Sequence, residues 1–152
     1  GFFARTFCER EFREHGLADA FVQCNTSWNV RKGTLRGMHY QLPPSSESKL
    51  VRCTSGSLLD VIVDLRPDSP SYLRHFGIEL SARNRSALYI PEMFAHGFQT
   101  LEDSTEVFYQ MTAFHAPELA AGLRHDDPRL GITWPLPVAA ISERDAKWPL
   151  LR

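Results

Sequence analysis

Three short segments of the chain set ionisable or hydrogen-bonding side chains inside otherwise apolar runs, where burial costs free energy unless each is paired. They are Leu35-Arg36-Gly37-Met38-His39-Tyr40-Gln41, Ile90-Pro91-Glu92-Met93-Phe94-Ala95-His96-Gly97-Phe98 and Glu106-Val107-Phe108-Tyr109. A single His in an apolar strand is more often a bonded core residue than a reactive one, about two to one on general burial habits, and His39 and His96 each carry that discount. Their company argues for function: Arg36, His39, Gln41, Lys49, Asp60, His96 and Tyr109 all fall in or beside strand-like runs. Strands that close into a barrel gather such residues at its mouth, where small ligands bind.

The chemistry on offer is narrow. No GxGxxG or GxxxxGK[ST] loop is present, so a phosphate would have to be gripped by side chains. Arg36 suits this, since its planar fork pairs with two phosphate oxygens at once. On strict alternation Arg36 and His39 point to opposite faces, so a shared site requires a bulge or sharp twist at Gly37. No H-x-H pair occurs among the six histidines, and a metal held by His39 and His96 would lack a ready third ligand. The expectation is a site with no metal and no cofactor.

The elements that must position these residues read as short strands. After a helix over Phe7 to His15, stopped at Gly16, apolar runs punctuated by Gly, Pro, Asn and Ser follow. They cover Ala20–Cys24, Thr34–Gln41, Lys49–Thr54, Ser57–Leu65, Tyr72–Leu80, Ala87–Ile90, Gly97–Leu101 and Thr105–Phe114. Eight such strands predict an all-β sandwich or barrel. In Ser57–Leu65, Leu59, Val61, Val63 and Leu65 form an apolar stripe, while Asp60 shares the other face with Leu58, Ile62 and Asp64. Taken alone, Asp60 is either an edge carboxylate in water, the commoner case, or a group inside a polar cavity. Asp127-Pro128 and Trp134-Pro135 read as loops, and Ser142-Glu-Arg-Asp145 as a capped short helix.

Bulk properties bound the rest. The 152 residues suit one domain, with 43% hydrophobic and 23% charged residues and no internal repeat or linker. Seventeen basic residues against 18 acidic ones leave a net charge of −1, too little to drive nucleic-acid or membrane-surface binding. No apolar run approaches a membrane span. Cys8, Cys24 and Cys53 lack disulfide or zinc spacing, which suits a reducing cytoplasm. The chain begins at Gly1 instead of Met, so the natural N-terminus is expected upstream.

Together these segments resemble the dTDP-4-dehydrorhamnose 3,5-epimerase family. The resemblance runs through Gly1-Phe2-Phe3, Phe21-Val22-Gln23, Gly33-Thr34-Leu35-Arg36-Gly37-Met38-His39-Tyr40-Gln41, Lys49-Leu50-Val51-Arg52 and Asp60-Val61-Ile62-Val63-Asp64-Leu65-Arg66. It continues in Ile90-Pro91, Phe94 to Phe98, Glu106 to Tyr109, Asp126-Asp127-Pro128 and Ile132-Thr133-Trp134-Pro135. It implies a cupin-type jelly-roll barrel, a homodimer, no cofactor, and a 4-keto-6-deoxyhexose on a nucleoside diphosphate as substrate. By the same resemblance, His39 is the general base, Asp127 its carboxylate partner and Tyr109 the acid on the opposite face. Lys49 and His96 surround the sugar carbonyl, Arg36 holds the diphosphate, and Gln23 and Phe3 lie near the nucleotide, Phe3 in the neighbouring subunit's site. Gln41, Asp60 and His115 complete the substrate contacts. Phe114-His115, His125 and Arg5 depart from the family's pattern around the nucleotide and outer sugar.

These roles match the chemistry. A proton beside a ketone is removed only by a positioned base with charge stabilisation for the enolate. Inversion then needs a donor on the far face. A single-centre epimerase, or one using another nucleotide, needs the same base and acid and stays open. The other classes are a barrel that binds a nucleotide sugar without turnover, separated by a His39→Ala variant, and a metal-dependent oxygenase, separated by metal analysis.

Overall fold

A computed structural model describes residues 1–151. Nine strands run in chain order: β1 (Gln23–Asn29), β2 (Leu35–Gln41), β3 (Lys49–Ser55), β4 (Ser57–Asp64), β5 (His75–Ser81), β6 (Ala87–Ile90), β7 (Phe94–Thr100), β8 (Thr105–Met111) and β9 (Ala120–Gly122). Two short helices flank them, α1 (Glu9–Glu14) and α2 (Glu143–Ala146). One sheet has the order β1-β8-β3-β6, the other β5-β4-β7-β2-β9, and every paired strand is antiparallel. First pairs with eighth, second with seventh, third with sixth and fourth with fifth. That nesting is the jelly-roll topology the sequence predicts.

The core explains why the strands lie where they do. Val51, Leu58, Ile62, Leu80, Ile90, Phe98 and Val107 fill the space between the sheets. A second cluster around Met38, Val61, Val63 and Ala95 covers the outer face of the five-stranded sheet, roofed by Leu130, Ile132, Trp134 and Leu151 from the C-terminal strap. Strand β4 is thus buried on both faces, and Asp60, 0% exposed, lies in the barrel interior. The edge position in water is corrected.

Several element boundaries also differ, and one strand is unexpected. Strand β1 begins at Gln23, beyond the apolar Ala20–Phe21–Val22 run, because its inward residues are polar and alternation of apolar residues does not mark it. Strand β9, Ala-Ala-Gly, carries no β-branched or aromatic signal and forms only by pairing with the edge of β2. Helix α1 is shorter than the Phe7–His15 reading, since Cys8 supplies no side-chain cap, and it stops before Gly16 at φ +66°. Phe12 anchors it through edge-to-face contacts with Phe7, Phe21 and Tyr89, at 5.0–6.1 Å between centroids.

Candidate active site

A cavity of about 350 Å³ opens at the end of the barrel where β1 and β3 start and β2 and β8 finish. Gln23, His39, Lys49, Tyr109, His115 and Arg144 are among the side chains that line it. Gln23 on β1 and Lys49 on β3 both pair with Met111 of β8, so they share one end of the four-stranded sheet. Tyr109 lies two residues away on β8, opposite Asn25 and Val51. His39 comes from the five-stranded sheet. The imidazole and the phenol therefore enter the cavity from opposite walls.

His39 reaches the cavity through a local irregularity. Arg36 lies opposite Phe98 and His39 opposite His96, so three steps along β2 match two along β7. The extra residue turns both side chains to one face, as their sharing a site requires. It falls at Gly37, whose φ is +114°. A Cβ there would sit 2.5 Å from Gly97 Cα and 2.7 Å from the His96 carbonyl oxygen, so glycine is required.

The carboxylate beside His39 is Asp145. Its Oδ1 lies 2.6 Å from His39 Nε2, and its Oδ2 accepts the Gly37 N–H at 3.2 Å. Burial pushes the Asp145 carboxyl up, but the hydrogen bond and charge of His39, the Gly37 N–H and the Ser142 hydroxyl together hold it below the ordinary range. An ionised Asp145 accepts from Nε2–H, which leaves the lone pair on Nδ1. With the Asp145 side chain 4% exposed and the His39 side chain 45%, the pair is a fixed anion behind an accessible base.

Asp127, expected in that position, is elsewhere. It is buried, but its oxygens accept the backbone N–H of Arg129 at 2.9 Å and of Leu151 at 2.6 Å. Its turn before Pro128 aims it at the chain end, where it pins the strap that carries Asp145. The sequence concealed Asp145 behind a sufficient local explanation: Ser142 does cap α2, its Oγ accepting the Asp145 N–H at 3.0 Å. A Ser-x-x-Asp cap accounts for the hydroxyl without revealing where the carboxylate points.

A second His–Asp pair stands beside the first. His96 is the cross-strand partner of His39, and its Nε2 lies 2.5 Å from Asp60 Oδ1. Both groups are buried and lie outside the cavity lining, so neither the expected place of His96 at the sugar carbonyl nor the direct contact of Asp60 with substrate is what the geometry provides. Gln41 lines the cavity, with its amide held by its own chain: it donates to the Ser45 and Phe114 carbonyls and accepts the Ala116 N–H at 2.7 Å. It clamps the two loops at the cavity rim. Gln23 and His115 line the cavity as well, and Gln23 Oε1 accepts the His115 N–H at 3.1 Å.

The cations come from three separate elements, β3, β2 and α2. Lys49 Nζ lies 3.1 Å from Glu47 Oε1 at the cavity wall. Arg36 is exposed, its Nε donating to Asn29 Oδ1 at 2.8 Å, and it borders a separate shallow pocket with Ser142. Arg144, unmarked in the sequence, lines the main cavity from α2. Phe3 is 97% exposed and is not part of that lining. Among the described residues no three His, Cys, Asp or Glu side chains converge as a metal-ligand set.

The family model described as dTDP-4-dehydrorhamnose 3,5-epimerase matches residues 1–152. A protein of that name from Methanothermobacter thermautotrophicus is 46% identical over 155 residues, spanning 100% of this chain and 83% of its own. The crystal structure of the Bacillus anthracis dTDP-4-dehydrorhamnose 3,5-epimerase, with TDP and PPi bound, superposes with a TM-score of 0.96 at 38% identity, covering 99% of this chain and 86% of that one. The Legionella pneumophila dTDP-6-deoxy-D-glucose-3,5-epimerase, in complex with dTDP-4-keto-L-rhamnose, gives a TM-score of 0.93 at 38% identity over 99% and 80%.

Proposed function

The chain belongs to the dTDP-4-dehydrorhamnose 3,5-epimerase family, and from that premise we propose that His39 and Tyr109 invert a 4-keto-6-deoxyhexose carried on dTDP. Carbons 3 and 5 both flank the carbon 4 ketone, so a proton at either is acidified by the same carbonyl. His39 Nδ1 takes it, and the electron pair moves into the enolate with charge on the carbonyl oxygen. Asp145 holds the tautomer and stabilises the imidazolium that forms. Lys49 supplies positive charge to the oxyanion, and His96, oriented by Asp60, steadies the wall behind His39. Tyr109 returns a proton to carbon from the opposite face, and the ketone is restored with its configuration changed.

The observation that carries this reading is the pairing of an Asp145-oriented imidazole on one sheet with a tyrosine on the other, across one cavity. Arg144 and Arg36 are assigned to the diphosphate, because both are exposed guanidiniums next to α2, Arg144 on the helix and Arg36 in a pocket shared with its cap residue Ser142. The test is chromatography of the ketosugar nucleotide after incubation with the protein. An epimerised product, absent with His39→Ala although that variant still binds dTDP, supports the assignment. Equal turnover by the variant contradicts it.

A homodimer belongs to the same proposal. The outward residues Cys24, Thr26 and Trp28 of β1 are exposed, Trp28 by 52%, and Phe2 and Phe3 in the chain's first residues are exposed as well. Light scattering of the purified protein at twice the 17.3 kDa chain mass is the expected result. The three cysteines are free, which favours a reducing cytoplasm.

A further inference from the structure

Trp148, two residues beyond α2, contacts two parts of the site at once. Its indole occupies the space of the side chain that Gly122 lacks: a Cβ there would lie 2.2 Å from Trp148 Cε2 and 2.4 Å from Nε1. Gly122 is the cross-strand partner of His39, and paired residues project to the same side of a sheet. The indole therefore fills the ground beside the base, on the base's own face. On the same ring lies the Arg144 guanidinium, its Cζ 5.0 Å from the ring centroid. Arg144 lines the cavity, and the residue after it is Asp145.

We infer that Trp148 is a positioning residue, holding the Arg144 guanidinium toward the substrate's diphosphate while it props the α2 segment that carries Asp145. The inference rests on the proposed roles of Arg144 and Asp145. An exposed arginine loses rotamer freedom when it binds an anion, and a ring already stacked beneath it removes part of that loss beforehand. The small residue at 122 is what admits the ring. Gly122 and Trp148 thus form one device: substitution at either displaces the same guanidinium.

The test combines titration of dTDP by calorimetry with steady-state kinetics on the ketosugar nucleotide, for Trp148→Leu, Trp148→Phe and Gly122→Ala. Trp148→Leu keeps apolar bulk but removes the π face, and is expected to weaken dTDP binding and raise KM by about fivefold. Trp148→Phe, which restores a face for the cation, is expected to stay within about twofold of the native protein. In an Arg144→Ala background, Trp148→Leu is expected to add no further loss of dTDP affinity, because the group it positions is gone. Gly122→Ala reproduces the Trp148→Leu phenotype by pushing the ring aside, and supplies the answer if the leucine variant does not fold. Equal effects of leucine and phenylalanine, or full additivity with Arg144→Ala, would overturn the inference. Native protein that binds no dTDP at all would instead remove the functional reading beneath it.

Discussion

Replacing Asp145 with Asn changes one atom of the side chain and should nearly abolish turnover. The native carboxylate, 4% exposed, accepts from His39 Nε2 at 2.6 Å and from the Gly37 N–H at 3.2 Å. An asparagine that keeps its oxygen on the Gly37 N–H must turn its NH₂ toward Nε2. That nitrogen then has to accept, and the ring proton moves to Nδ1, the position that faces substrate. The charge-assisted bond to the imidazolium, worth about 1.5–3 kcal/mol, is lost as well. Together these predict a fall in kcat of about 10³ to 10⁴, roughly 4–5.5 kcal/mol, as for other neutralised Asp–His pairs. KM should change little, because Asp145 lies behind the imidazole. Single-turnover proton exchange followed by NMR measures the step directly. The control is Asp127→Asn, which should lower Tm through its lost hold on Leu151 yet leave kcat within about tenfold of native. A large kcat loss for Asp127→Asn with near-native activity for Asp145→Asn would refute the assignment of the dyad.

Other perturbations separate the remaining parts. Tyr109→Phe should lower product formation by about 10²–10⁴-fold while exchange of the substrate proton with solvent persists, since the base is untouched; loss of both would remove the two-face mechanism. Gly37→Ala should lose both stability and activity, because its Cβ meets the Gly97 and His96 backbone and its φ is +114°; a native-like Tm would contradict the requirement for glycine. Asp64 accepts hydrogen bonds from Arg66, Ser69 and Ser71, and the Arg66 guanidinium holds its carboxyl well below the usual carboxylate range against the opposing effect of burial. Its folded-state value is depressed, so its contribution is present above the unfolded value of about 4 and fades as pH falls through the folded one. Asp64→Asn should therefore lower Tm clearly at pH 7 and by somewhat less at pH 3, which lies only about one unit below the unfolded value, and an equal loss at both would count against the ion pair.

The sequence carried the architecture because seven of the nine strands have apolar or alternating patterns that only a two-sheet core satisfies. It carried Arg36, His39 and the irregularity at Gly37 because an ionisable pair at that spacing is meaningful only if the strand alternation breaks between them. Strand β1 was displaced because polar inward residues erase the period-two signal, and β9 was missed because a neighbouring strand's edge creates it. Two site residues escaped for related reasons. Asp145 was accounted for by a helix cap, and Arg144 lies inside that same cap segment, so only the folded strap brings Arg144 to the cavity and Asp145 to His39. Asp127 was misassigned because a carboxylate before a proline in a family-like motif looks functional, and only its bonds to Arg129 and Leu151 reveal an anchoring role.

The most direct test of the whole account is proton NMR of dTDP-4-keto-6-deoxyglucose incubated with the protein in D₂O. Deuterium entering carbon 3 or carbon 5 with native protein, and at neither carbon with His39→Ala, is the predicted result. Incorporation at both identifies a double epimerase and at one a single-centre enzyme. A native protein that binds dTDP yet exchanges neither proton would contradict the assignment of His39 as a catalytic base.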